Sequence, residues 1–179
     1  MKKVHWITET AVMLALLIAL QAFTAPLGQL VTGSCVNAVL AVTVLLSGIG
    51  SGLTVALLSP VFAYLLGIAP QLVAIPAIMA GNAVFVRLLH LLTGDGKSLW
   101  KRIVAWLAAA VAKFLTLYVL MVQVVCGLAS GALLERGLLK APMLEKLPAM
   151  FTWPQLLTAL IGGGLAMLIF PLLKKVLKR

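Results

Sequence analysis

The chain has 179 residues, 63% of them hydrophobic and only 10% charged, with a mean hydropathy of +1.17 and a formal net charge of +10. Soluble domains carry about 25% charged residues, so the composition predicts an integral membrane protein and excludes an ordinary soluble enzyme. The positive charge does not indicate nucleic-acid binding, because the basic residues lie at the ends of apolar runs.

Six apolar runs, separated by polar or Gly- and Pro-containing breaks, predict one all-α membrane domain over residues 1–179. The runs cover 10–27, 35–46, 53–66, 72–92, 103–128 and 155–173. A helix needs about 20 apolar residues to cross a bilayer, so the second and third runs are short and could instead form a re-entrant hairpin. The first run also resembles a secretory signal peptide cleaved near Ala22–Ala25, but the apolar remainder of the chain favours a membrane helix.

The distribution of Lys and Arg predicts the orientation of this bundle. With the N-terminus inside, ten of the fourteen Lys and Arg face the cytoplasm, three face outward and Lys113 lies within a span. Cytoplasmic loops of membrane proteins are enriched in these residues. We therefore expect both termini in the cytoplasm and outer loops at 28–36, 67–71 and 129–153. The residues expected inside are Lys2, Lys3, Arg87, Lys97, Lys101, Arg102, Lys174, Lys175, Lys178 and Arg179, and those outside are Arg136, Lys140 and Lys146.

The few chemically reactive side chains argue against catalysis and against a metal or cofactor. The four acids are scattered, and no two of them could form an acid/base pair within one helix. No Gly-rich phosphate loop of the Walker type occurs, so the chain does not hydrolyse ATP by itself. Cys35 and Cys126 both fall toward the outer side, where a disulfide is possible only if they lie close together.

A set of amide and aromatic side chains is placed toward the outer half of the bundle. These residues are Asn37, Asn82, Tyr118, Gln123 and Trp153. Buried amides in an apolar bundle are costly unless they are hydrogen-bonded, so they either join helices or line a ligand pocket. Because the set converges near one face, a pocket is the better prediction.

Lys113 is the only charge well inside a predicted span. It could extend to the inner surface or pair with Glu9, near the inner end of the first span. Alternatively, it could be the counter-charge for an anionic ligand.

The first span carries Ala11, Ala15 and Ala19 at intervals of four residues, which places them on one face of a helix. Small residues allow close approach of another helix. That helix could belong to the same bundle or to a partner.

Together with Pro76, the Gly81-Asn82 pair and the closing Gly162-Gly163-Gly164 run with its Lys174-Lys175 tail, this alanine face resembles the substrate-binding S component of an energy-coupling factor (ECF) transporter. The resemblance extends over nearly the whole chain.

This resemblance implies a six-helix bundle of the S-component type in a prokaryotic plasma membrane. Such subunits bind a vitamin-like micronutrient near the outer face and associate with a transmembrane coupling subunit joined to two ATPases. They are thought to topple within the membrane to release the substrate inside. The alanine face would be the docking surface, and residues 28–36 would be the lid.

The substrate itself is not predicted. Few charges in the outer half favour a neutral or weakly charged, partly aromatic ligand. If Lys113 reaches the pocket, a carboxylate such as pantothenate, niacin or folate becomes possible. Two other classes stay open: a structural membrane protein of the MreD type, which would bind no small molecule, and a stand-alone channel or secondary transporter, which would need no ATPase.

Overall fold

A computed structural model describes residues 2–68, 71–94 and 98–177, and these ranges contain helices and no strands. The predicted inner charges Lys97, Lys178 and Arg179 lie outside the described residues. Seven α-helices occur in the described ranges: α1 Lys2–Thr24, α2 Gln29–Leu65, α3 Ile75–Thr93, α4 Leu99–Leu117, α5 Ser130–Glu135, α6 Ala141–Met150 and α7 Trp153–Val176. Two 3₁₀-helices lie at Ala25–Leu27 and Leu72–Ala74, and a π-helix at Tyr118–Leu128 continues α4.

Five of the helical segments are long and apolar enough to cross a membrane. They are Lys3–Leu27, Gln29–Leu65, Leu72–Thr93, Leu99–Leu128 and Trp153–Val176. Four of the predicted runs fall within one segment each, whereas the runs 35–46 and 53–66 lie in the same helix, α2. The chain is thus built as a multi-pass membrane protein, although its helix count differs from the predicted six.

The long helix α2 folds back on itself at Gly48. This residue has φ 82° and ψ −178°, which is not helical, and a positive φ is a conformation that glycine adopts without steric cost. A Cβ atom added at Gly52 would lie 2.9 Å from the Cβ of Val44. Residues eight apart in a continuous helix are about 12 Å apart along its axis. The two limbs of α2, 29–47 and 49–65, therefore lie side by side.

The reversal at Gly48 gives the bundle two distinct ends. At the first, Thr10 Oγ1 and Ser51 Oγ are hydrogen-bonded at 2.7 Å, which joins α1 to the second limb of α2. At the opposite end, Gln29 Nε2 donates to the backbone oxygen of Met150 at 2.5 Å. We call the first the basic end, because Lys3, Lys101 and Lys174 lie toward it, and the second the cavity end.

Glycine allows α7 to approach α2 closely. A Cβ atom at Gly162 would overlap the backbone oxygen of Ser34 and the Cβ of Asn37. The neighbouring Gly163 leaves room for the ring of Trp106, whose Nε1 donates to the backbone oxygen of Ala159 at 3.2 Å. The glycine run of the last span is thus explained by helix packing.

Two segments predicted to be loops are mostly helical. Residues 28–36 do not form a loop, because α2 begins at Gln29 and only Gly28 separates it from the 3₁₀-helix. Polar side chains here are accommodated within the helix; for example, Ser34 Oγ donates to the backbone oxygen of Leu30 at 2.6 Å.

The predicted loop 129–153 contains α5 and α6. Leu139, Leu147 and Phe151 in this segment are buried in a cluster with residues of the π-helix and α3. We call residues 129–152 the cover, because they lie across the cavity end.

Candidate functional site

A cavity of about 290 Å³ lies within the bundle at the cavity end. Its walls come from α1, both limbs of α2, α3, α4 and the start of α7, and Met150 and Phe151 of the cover also line it. The polar residues of these walls are Gln21, Gln29, Thr32, Asn37, Ser59, Asn82, Lys113 and Gln155. The site is therefore built from all five candidate membrane spans of the described residues.

The deepest polar contacts of the cavity join three helices at Lys113. Its Nζ donates to Asn37 Oδ1 at 2.6 Å and to Asn82 Oδ1 at 2.7 Å. All three side chains are buried, with Lys113 only 3% exposed. The Nζ also lies 5.7 Å from the centre of the Phe85 ring, where a cation is attracted to the aromatic face. The structure thus brings together three of the predicted site residues.

Hydrogen bonds to the surrounding backbone orient the two amides toward Lys113. Asn37 Nδ2 donates to the backbone oxygen of Gly33 at 2.9 Å and to Thr158 Oγ1 at 3.3 Å. Asn82 Nδ2 donates to the backbone oxygen of Ala56 at 3.5 Å. Each amide therefore presents its oxygen to the Lys113 amine.

The sequence left two roles for Lys113 that involve no ligand, extension to the inner surface and pairing with Glu9, and the structure agrees with neither. Its side chain does not extend to the bilayer surface, since it is buried and lines the cavity. Among the described residues it makes no ion pair, and the Glu9 carboxylate instead lies 2.7 Å from His5 Nε2. The amine of this side chain is thus positioned by two neutral amides.

Three further polar atoms of the cavity wall have no hydrogen-bond partner among the described residues. They are Gln21 Oε1, Thr32 Oγ1 and Ser59 Oγ. Buried polar atoms are normally hydrogen-bonded, so these three mark positions where a bound molecule would supply partners. Sequence reasoning did not single out Gln21 or Ser59. The available signal was weak: each is a lone polar side chain inside an apolar run.

Two glutamines hold the cover against the membrane helices. Gln29 Nε2, at the start of α2, and Gln155 Nε2, in the first turn of α7, both donate to the backbone oxygen of Met150, at 2.5 and 3.1 Å. The adjoining Phe151 is 3% exposed and lines the cavity. Two hydrogen bonds therefore tie this end of the cover to α2 and α7, where Met150 and Phe151 form part of the cavity wall.

The other three predicted substrate-binding residues lie outside the cavity. Gln123 Nε2 donates to the Tyr118 hydroxyl oxygen at 3.1 Å on an exposed surface. Trp153 is 61% exposed. The expected convergence of Gln123, Tyr118 and Trp153 with Asn37 and Asn82 is not what the structure shows.

The predicted docking alanines Ala11, Ala15 and Ala19 are all exposed on one side of α1. This face is not used for packing within the bundle. The two cysteines, Cys35 in α2 and Cys126 in the π-helix, are both free, so the disulfide considered from the sequence does not form.

A comparison with protein families agrees with this architecture. The model of the family described as ECF transporter, substrate-specific component, matches residues 5–174. No curated protein and no solved structure gives a significant match. The matched region includes every residue of the cavity wall and the exposed alanine face. The chain therefore belongs to the substrate-specific components of ECF transporters, which are transport-specificity subunits and not enzymes.

Proposed function

We propose that this chain is the high-affinity substrate-binding subunit of an ATP-driven importer for a vitamin-like micronutrient, and that the substrate occupies the cavity. The observation that carries the proposal is a cavity within an otherwise apolar bundle, three of whose buried polar atoms lack hydrogen-bond partners among the described residues. Ligand sites are typically apolar concavities with a few placed polar groups. Substrate-specific components of this family associate with a module of a coupling subunit and ATPases.

Within this proposal, α2 crosses the membrane twice. A straight helix of 37 residues would be about 55 Å long, whereas the hydrocarbon core is about 30 Å thick. Each limb of α2 alone approaches the length of one crossing. The reversal at Gly48 therefore supports six crossings.

The orientation follows from the charges at the two ends. Apart from Lys113, seven of the basic residues in the described ranges lie toward the basic end and three lie in the cover. The positive-inside rule then assigns the basic end and both termini to the cytoplasm. The cavity would face the outside of a prokaryotic cell, where an importer meets its substrate.

Asn37, Asn82 and Lys113 are the predicted binding residues that remain in the proposal, and the exposed alanines of α1 would contact the coupling subunit. Small residues on a membrane helix allow a second helix to approach closely. The cover, rather than residues 28–36, would be the lid.

Two measurements test the proposed function. The chain is co-expressed with a tagged coupling subunit and the two ATPases, and the purified complex is assayed in proteoliposomes for uptake of vitamins with and without ATP. We expect stable co-purification and ATP-dependent uptake. Uptake by the chain alone would identify a stand-alone transporter, and failure to bind both the module and every vitamin would favour a structural role.

A further inference from the structure

The charge balance of the cavity is incomplete. Lys113 is 3% exposed and lies about 21 Å along α4 from Leu99, at 1.5 Å per residue. Its two hydrogen-bond partners are amide oxygens, which contribute dipoles and no negative charge. Within the described residues no carboxylate contacts it. Two of the four acids of the chain, Glu135 and Glu145, are exposed in the cover.

A buried lysine without a counter-ion is costly to keep charged, since transferring a charge from water to an apolar medium is opposed unless the charge is paired. An ionisable residue inside a membrane helix is therefore most readily explained by a functional role. Lys113 differs from a purely structural lysine because it lines a cavity large enough for a small molecule. An anion in that space would complete the charge balance.

The remaining partnerless atoms constrain the rest of the ligand. The amide oxygen of Gln21 accepts hydrogen bonds, and the hydroxyls of Thr32 and Ser59 both donate and accept. All three line the same cavity and are buried. A hydrocarbon chain would leave them unpaired, at a cost for each atom. A ligand that carries hydroxyl or amide groups would form hydrogen bonds with these atoms.

We propose that the substrate is a small organic carboxylate with hydroxyl or amide groups on its body. Its carboxylate binds Lys113 at the deep end of the cavity, and its polar body contacts Gln21, Thr32 and Ser59. The cavity of about 290 Å³ lies just below the roughly 300–1,000 Å³ range of ligand sites, which favours a compact acid. This inference rests on the proposed function and adds the chemical class of the substrate.

Matched pairs of acids and neutral analogues test the charge requirement. The purified chain in nanodiscs is titrated by calorimetry with nicotinate and nicotinamide, pantothenate and pantothenol, biotin and biotinamide, and with octanoate as an acid without a polar body. We expect at least one polar acid to bind at least tenfold more tightly than its neutral analogue, and octanoate to bind more weakly than that acid.

Two variants separate a ligand-binding lysine from one that only joins helices. Lys113→Gln should weaken binding of that acid by roughly 30-fold or more, as expected when one partner of a buried charge pair is removed. Asn82→Asp keeps the lysine and places a carboxylate about where Oδ1 lies 2.7 Å from Nζ. It should reduce acid binding to a similar degree without lowering the thermal stability of the ligand-free protein. Lys101→Gln, on the exposed start of the same helix, is the matched control.

The outcomes distinguish this inference from the proposed function. Three results would overturn the carboxylate assignment and leave the subunit assignment intact. They are equal or tighter binding of the neutral analogues, unchanged acid binding in Asn82→Asp, and binding only of uncharged or cationic vitamins. If none of the acids binds while the chain still co-purifies with its module, the carboxylate proposal is again wrong. Loss of co-purification in the unmodified chain would contradict the proposed function itself.

Discussion

Asn37 connects the cavity to the packing of three helices. Its amide nitrogen is bonded to Gly33 within α2 and to Thr158 of α7, and its amide oxygen accepts from Lys113 of α4. Asn82 makes one long bond to Ala56, at 3.5 Å, besides its bond to Lys113. The two amides therefore make the same contact with the lysine but differ in how strongly they are tied to the bundle.

This difference predicts distinct effects of removing each amide. Asn82→Ala should weaken ligand binding several-fold to tens-fold while the bundle stays folded, because Lys113 keeps Asn37 as a partner. Asn37→Ala should in addition lower stability by roughly 1–3 kcal/mol, since it leaves several buried groups with fewer partners. Thermal unfolding of both variants in detergent, followed by calorimetry, checks this. Equal loss of stability in the two variants would contradict the assigned roles.

A second prediction at this scale concerns the glycine beside Asn37. A methyl group at Gly162 would overlap Ser34, Asn37 and Ala38 of α2, so Gly162→Ala must push α2 and α7 apart. Overpacking of this kind typically costs roughly 1–3 kcal/mol, and we expect weaker ligand binding as well because Asn37 moves. Gly131→Ala is the control, as a Cβ there meets no atom within 4 Å. The melting temperature of each variant is the measurement, and a Gly162→Ala protein as stable as the control would refute the close contact.

The sequence identified part of the site for a clear physical reason. Asn82 and Lys113 are conspicuous because polar groups inside apolar runs require partners. Gln123 is also a polar residue inside an apolar run, but it lies in a π-helix, where backbone hydrogen bonds join residues five apart. Its amide donates to the hydroxyl of Tyr118, five residues earlier, on the surface of the bundle. A change of helical period alters which face a side chain occupies, and single-sequence patterns did not reveal it.

At the scale of elements, the hairpin within α2 determines which residues line the cavity. Its reversal brings Asn37 of the first limb and Ser59 of the second to the same cavity. The break at 47–52 was visible in the sequence as a cluster of Ser and Gly. The helical form of 28–36 is not visible there, because Pro26 and Gly28 followed by several polar residues are typical of a loop. In the bundle those residues bond to their own helix or line the cavity.

The two-limb interpretation of α2 predicts where a label can reach. In a chain with Cys35 and Cys126 replaced by serine, Ser47→Cys should react with a membrane-impermeant maleimide only from the cytoplasmic side. Ser130→Cys, at the start of α5, should react only from outside. A single long crossing would instead bury residue 47 in the bilayer and leave it unlabelled from both sides. Labelling of right-side-out and inverted vesicles, followed by gel-shift, distinguishes these cases.

At the scale of the whole molecule, the span that contains α1 is the least buried of the five candidate spans, with 17% of an apolar 18-residue stretch buried. Lipid-facing positions elsewhere carry large side chains, such as Leu168 at 72% exposed and Leu172 at 66% exposed. Lipid contact alone does not require small residues, whereas close contact with another helix does. The exposed alanines at 11, 15 and 19 therefore fit a protein partner better than they fit lipid.

Replacing the central alanine tests this surface. Ala15→Trp adds a large ring at the centre of the exposed alanines, so it should reduce co-purification with the coupling subunit at least about tenfold, since a close helix pair tolerates little added volume. Ligand affinity should stay within about twofold, because Ala15 does not line the cavity. Leu168→Trp is the matched control on the exposed side of α7 and should preserve both properties. If Ala15→Trp assembles as well as the control, the partner must contact the bundle elsewhere, and the alanine face would then be a lipid-facing surface.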